Sequence, residues 1–343
     1  MNKIKYFFVA ALLMIVIGNV YSQTLSKTGT TAAQFLKIPI GPRAIGMGGA
    51  FTATANDISA IYWNPAGLAS GNTGEAGFNH INWFADIDYD FAGVATYIDG
   101  IGTIGAFVSV LSTEDMIVRT LENPEGTGEY FSFGDLAIGI SYARNLTDNF
   151  SIGFNAKYIR EHIWHMSAVG FAIDIGVLYK IPILNEFRLA ACVSNFGTKM
   201  QLDGRDILLI YQSGAGDGNL INTKVELDSW DLPLLFRVGI AADIVKDNTH
   251  RLTTAIDAVH PNDNTESLNF GLEYAWNDIF FVRGGYNAAF ERDTEKGFTV
   301  GAGLKYRIIS SIYAKVDYAY QDHGRLTAGD FNDVHYFSLG IQF

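Results

Sequence analysis

The chain repeats one pattern almost to its last residue: segments of about 10 to 15 residues in which large apolar side chains alternate with Gly, Ala, Asn and charge. In residues 231–245, Leu232, Leu234, Phe236, Val238, Ile240, Ala242 and Ile244 form one face, while Arg237, Gly239, Ala241 and Asp243 form the other. Leu268, Phe270, Leu272, Tyr274 and Trp276 oppose Asn269, Gly271 and Glu273 in the same way, and Phe298, Val300, Ala302, Leu304 and Tyr306 oppose Thr299, Gly301, Gly303, Lys305 and Arg307. Side chains of a strand point alternately to its two faces, so each segment reads as a strand with one oily face and one small or polar face.

The pattern predicts about fourteen strands, near 73–85, 88–99, 102–112, 134–146, 149–163, 166–181, 186–199, 231–246, 249–260, 266–277, 279–291, 297–308, 311–322 and 333–343. Tight turns at Asp99, Leu146 and Lys246 alternate with longer connections, above all 113–133 and 198–230. Short turns at one end and long loops at the other, with an even strand count, predict an all-β chain folded as a single transmembrane antiparallel β-barrel.

Alternation alone does not say whether the oily face meets lipid or a protein core, because a soluble sandwich shows the same period. Quantity and charge placement decide. Some five large apolar residues on each of about fourteen strands overfill one closed interior and suit its outside. Lys or Arg facing lipid at the midplane costs about 2–4 kcal/mol. Lys157, Asp174, Lys180, Arg237, Asp243, Glu273, Arg283, Lys305, Arg307, Lys315 and Asp317 all share the parity of the polar face. Their mixed signs predict ion pairs between strands that brace the lumen. A net charge of −12, with 24 basic against 36 acidic residues, excludes a nucleic-acid partner, since phosphate binding needs clustered Lys and Arg.

At the N-terminus, Lys3 and Lys5 precede the apolar run 7–17, and Val20 and Ser22 sit at −3 and −1 of a cleavage point before Gln23. Residues 1–22 therefore read as a secretory signal peptide. The lone Cys192 cannot form an intrachain disulfide. At the other end, Phe337, Leu339, Ile341 and Phe343 form an oily face that ends on an aromatic, the signal read by the outer-membrane barrel assembly machinery, so that machinery and outer-membrane lipid are expected partners. No spacing singles out a nucleophile and base, so no enzyme is expected. His162 with His165 sits at a strand end, and Asp86, Asp88 and Asp90 near a loop; both read more readily as loop surface than as metal ligands. Gly41 to Gly49 lacks the Gly-Lys-Ser/Thr of a phosphate loop. No metal or cofactor is expected.

The segment Gly-Thr-Thr-Ala-Ala-Gln-Phe-Leu-Lys-Ile-Pro-Ile-Gly-Pro-Arg-Ala-Ile-Gly-Met-Gly-Gly-Ala-Phe at 29–51 resembles the opening of PorV/PorQ family proteins. Residues 57–69 extend the resemblance, and their Asn-Pro-Ala-Gly-Leu is similar to an element of FadL-like fatty-acid channels. The resemblance implies an outer-membrane barrel of fourteen strands, 71–343, with residues 23–70 tucked into the lumen as a plug. Physics asks for such a plug, since eight strands fill their own bore whereas sixteen leave a channel. Phe35, Leu36, Ile38, Ile40, Ile45, Met47, Phe51, Ile58, Ile61 and Trp63 need burial, and Asn64, Pro65, Ala66 and Gly67 read as a turn of the plug, with Gly67 permitting a tight return into the first strand. PorV-like members imply a role in type IX secretion: binding the C-terminal sorting domains of cargo and passing them from the translocon barrel to a cell-surface attachment complex. FadL-like members imply the alternative, a passive channel for hydrophobic small molecules.

Overall fold

The computed structural model describes residues 27–183, 185–212, 220–291, 294, 296–323 and 333–343; the expected signal peptide at 1–22 lies outside them. Fourteen strands form the wall: β1 Glu75–Asn82, β2 Ile87–Ile98, β3 Gly102–Thr113, β4 Phe133–Thr147, β5 Phe150–Ile163, β6 Met166–Ile181, β7 Phe187–Gly197, β8 Leu235–Lys246, β9 His250–Pro261, β10 Ser267–Trp276, β11 Phe280–Ala289, β12 Phe298–Ile309, β13 Ile312–Asp322 and β14 Asp333–Gln342. Each pairs antiparallel with the next, and β14 pairs with β1 through Glu75↔Gln342 to Asn82↔His335. The sheet closes on itself and has no free edge.

The alternation sorts side chains as lumen and lipid require. Leu272 is 51% exposed and Val282 62%, on the outside, while their chain neighbours Glu273 and Arg283 are 1% and 4% exposed, on the inside. A slip of one residue would exchange them. One expectation fails at the start of β8: Leu232 is buried at 3%, not on the oily exterior. Pro233 has no N–H to give the ladder, so pairing starts at Leu235, and the preceding chain turns to the N-terminal segment, where the Ala32 N–H donates to the Asp231 carbonyl at 2.9 Å.

One end of the barrel carries short turns, such as 148–149 and 310–311. The other carries the long connections. Between β7 and β8, Leu208–Gln212 pairs with Leu220–Lys224 as a separate hairpin, and between β3 and β4 a two-residue ladder joins Met116–Ile117 to Tyr130–Phe131. No helix among the described residues is long and apolar enough to cross a membrane.

Inside the ring lies the N-terminal segment. It makes only short helical pieces: Gln34–Lys37, α1 Pro42–Gly46, α2 Ala60–Trp63 and Pro65–Ser70. Pro42 and Pro65 start two of them, and Gly48 and Gly49, with φ of 65° and 74°, turn the chain after α1. Ile40, Ile45, Met47, Phe51, Ile61 and Trp63 are buried together with the inward-facing Tyr89, Phe91, Ile159 and Tyr336.

Candidate functional site

Three regions could carry function: the join between the N-terminal segment and the wall, the cavities on either side of it, and the long loops. At the join, the Asn64 side chain accepts from the Ala66 N–H at 3.1 Å and donates to the carbonyls of Thr52 and Val177 at 3.0 and 3.1 Å, so its amide holds both the turn and β6. The wall is cut away to receive it. A Cβ at Gly176 would lie 2.1 Å from Asn64 Oδ1, and one at Gly153 would lie 2.2 Å from the backbone of Pro65 and Ala66. Gly67 has the same role within the segment, since a Cβ there would lie 2.1 Å from the Ala55 carbonyl oxygen.

Further round, Asp257 on β9 accepts from the N–H groups of Phe51 and Thr52 at 2.9 and 2.8 Å. Asn155 on β5 donates to the Ile61 carbonyl at 2.7 Å, and Asn287 on β11 to the Gly48 carbonyl at 2.9 Å. A segment this irregular leaves many backbone groups unpaired, and polar wall residues meet them.

The lumen charges gather on both sides of the join. Glu273 accepts from Arg43 of the N-terminal segment at 2.8 Å, from Arg283 at 2.8 Å and from Arg251 at 3.1 Å. Arg283 also reaches Asp317 at 2.5 Å, Lys315 pairs with Glu75 at 2.8 Å, and Asp243 receives Arg188 at 2.6 Å and Lys246 at 3.3 Å. Lys157 pairs with Asp174 at 2.7 Å. The other four cations predicted for the lumen sit apart from this network, Lys180 in the lining of the cavity toward the short turns. Arg237 lies over the rings of Tyr62 and Trp63, at 5.1 and 5.2 Å; Lys305 lies over Tyr313 at 4.6 Å; Arg307, exposed at the short-turn end of β12, donates to the Tyr313 hydroxyl at 3.0 Å.

Arg43 ties the segment to the wall electrostatically. Burial alone would lower its affinity for a proton, but Glu273 and Asp57 overcome this and raise its pKa above the ordinary value. Asp57 responds in kind: burial pushes it up, and Arg43 and Lys315, with hydrogen bonds from Ser59 and Arg43, bring it below the usual carboxylate range. On the long-loop side, Asp263 accepts from Lys37 at 2.7 Å, Thr31 at 2.9 Å and Gln34 at 3.0 Å. Its pKa is lowered, burial being outweighed by these bonds and the Lys37 charge.

The join separates two cavities. The one toward the short turns, about 470 Å³, is lined largely by charge, including Arg43, Arg251, Arg283, Lys305, Lys315 and Asp317. The one toward the long loops, about 550 Å³, has an aromatic wall of Phe35, Tyr62, Trp63 and Trp83. Beyond it stands the 208–224 hairpin, where Leu208, Leu209, Ile210, Tyr211, Leu220 and Ile221 are all exposed. Phe343 sits at the opposite end, exchanging both backbone hydrogen bonds with Gly74 at 2.8 and 2.9 Å.

Of the metal candidates, Asp86 lies in a 3-10 turn before β2, apart from the strand that carries Asp88 and Asp90, and Asp90 pairs with His80 at 2.8 Å. His165 pairs with Asp206 at 3.0 Å. No group of three metal-ligating side chains occurs among the described residues. Sequence reasoning missed Arg43, Asp257 and Asp263 because the contacts that tie the N-terminal segment to the wall through them span more than 200 residues. The glycines at 153 and 176, on the inner parity of their strands, were the one available signal that something packs against the wall there.

The family model described as Type IX secretion system protein PorV matches residues 21–258. No curated protein matches the sequence. Among solved structures, the P. putida toluene transporter TodX superposes with a TM-score of 0.54 at 12% identity, over 89% of this chain and 96% of that one. The monoaromatic hydrocarbon channel CymD gives 0.53 at 11% identity, over 89% and 97%. A Pseudomonas aeruginosa FadL homologue gives 0.51 at 12% identity, over 89% and 98%. At such identities these likenesses establish the barrel fold and nothing about ligands.

Proposed function

The chain belongs to the PorV family of type IX secretion system proteins, and from that premise we propose that this outer-membrane barrel holds secreted cargo by its C-terminal sorting domain at the cell surface and passes it from the translocon barrel to the attachment machinery. The observation that carries this is the 208–224 hairpin. Six large apolar side chains on a two-stranded ribbon in the long connection between β7 and β8 are exposed among the described residues, and exposed apolar patches of this kind mark protein contacts. Residues 23–70 act as a plug that blocks free diffusion through the bore. The role needs no catalysis and no cofactor. Phe343, at the closing seam, serves as the signal for the barrel assembly machinery.

Affinity purification from native membranes tests the proposal. Proteins sharing a C-terminal β-domain should be recovered with the full chain and lost when 203–230 is replaced by a short Gly-Ser turn, while the barrel still assembles. Recovery unchanged by that replacement would remove the hairpin from the role.

The second reading, passive passage of hydrophobic small molecules, draws on fold likeness to proteins titled as toluene and hydrocarbon channels. The charged lining of the cavity toward the short turns speaks against it, because an apolar solute leaving by that route would cross a ring of ions. Uptake of a hydrophobic compound that fails on deletion, with secretion untouched, would establish this reading instead.

A further inference from the structure

The cavity toward the long loops contains an arrangement that the secretion role does not use. Asp135 on β4 and Glu161 on β5 are directly opposite each other in the sheet, and both line the cavity. Like charges so placed repel, yet neither forms an ion pair among the described residues. Asp135 has no hydrogen-bond partner there, and Glu161 accepts one bond, from the Ala33 N–H at 2.8 Å. The basic groups of the lining are placed elsewhere. Lys37 is held by Asp263 at 2.7 Å, Arg237 is covered by the Tyr62 and Trp63 rings, and Lys296 is exposed.

A second observation is independent of these carboxylates. His323, 6% exposed, lines the same cavity, and its Nε2 has no hydrogen-bond partner among the described residues, although the ring packs edge-on against Trp83 at 5.7 Å and Phe84 at 5.0 Å. A buried polar atom left unmet is costly, and a hydrogen-bond donor entering the cavity would satisfy it.

We propose that this cavity is a binding site for an organic ammonium ion: a primary amine carried on an aromatic or alkyl body, its charge between Asp135 and Glu161 and its body against the aromatic wall. A volume of about 550 Å³ falls within the range of small-molecule sites. Two carboxylates neutralise the cation, and ring faces attract it further. A free amine and a lysine side chain presented by a bound protein share this chemistry. The site stands apart from the secretion reading and does not depend on it.

The test is calorimetric titration of the purified full chain in a non-ionic detergent with phenethylamine, against 2-phenylethanol and 3-phenylpropionate as neutral and anionic counterparts. Phenethylamine should bind saturably and at least tenfold more tightly than either. The isosteric double variant D135N/E161Q should lose that advantage with its melting temperature held, since the amide oxygen that replaces the Glu161 carboxylate can still accept from the Ala33 N–H. N-acetyl-lysine methylamide separates the sources: tighter binding than phenethylamine identifies a protein side chain as the natural occupant, weaker binding a free amine. Absence of amine binding, an amine affinity kept by the double variant, or 3-phenylpropionate binding as tightly as the amine would each overturn the proposal.

Discussion

Asn64 and Gly176 meet inside the barrel so closely that a Cβ on the glycine would lie 2.1 Å from the asparagine's Oδ1. The contact joins the turn of the N-terminal segment to the middle of β6, and the missing side chain is what makes room for it.

Gly176→Leu should therefore displace the Asn64 turn while leaving the ladder intact. Overpacking of this kind costs about 1–3 kcal/mol. Protease should cut the 40–70 region of the variant faster than that of the parent, and planar-bilayer recordings should show larger ion conductance. Gly284→Ala, where a Cβ meets nothing within 4 Å, is the matching control and should behave as the parent.

Glu273 gathers three arginines, so removing it should hurt more than removing any one of them. Glu273→Leu leaves Arg43, Arg251 and Arg283 with only Asp57, Asp278 and Asp317 between them and should cost about 3–5 kcal/mol. Arg43→Met leaves the carboxylate with two cations and should cost less. Urea unfolding of the two variants in detergent gives the order; a larger loss for Arg43→Met would reverse the assignment of Glu273 as the hub.

On the outside, Leu272→Lys should cost about 2–4 kcal/mol of folding free energy in lipid vesicles, whereas Ile308→Lys, close to the short-turn end, should cost about 0–1 kcal/mol. Equal costs at the two positions would mean that β10 and β12 sit at other depths than the strand ends imply.

His323 lies in the connection after β13, and its pKa is lowered from the ordinary 6.5 to about 4, by burial first and then by the Lys296 charge. Between these values the unfolded connection binds a proton that the packed ring refuses, so stability rises with pH from about 4 to 6.5 and falls on acidification. Trp83 fluorescence, read at pH 7 and pH 5, should report loosening of the Trp83–His323 contact, and His323→Phe should abolish the change.

The barrel was readable from the sequence because strand periodicity is local: each of the fourteen ladders lies within about four residues of its expected span. Leu232 misled because the oily alternation runs through Pro233, where the ladder cannot. The join was readable only in outline. Asn64 and Pro65 announce a turn through their own backbone preferences, but nothing near them in sequence points to Gly153 or Gly176. Arg43 and Glu273 are 230 residues apart, and only closure of the sheet brings them together. The Asp135–Glu161 pair needed register, which parity alone does not supply.

The backbone of Phe343 bonds to Gly74, one residue before the first strand begins. Because the seam joins the first strand to the fourteenth, the ring closes only once β14 is in place. Until then the sheet carries two open strand edges, and loss of β14 would leave an open ribbon prone to aggregation rather than a slightly smaller barrel.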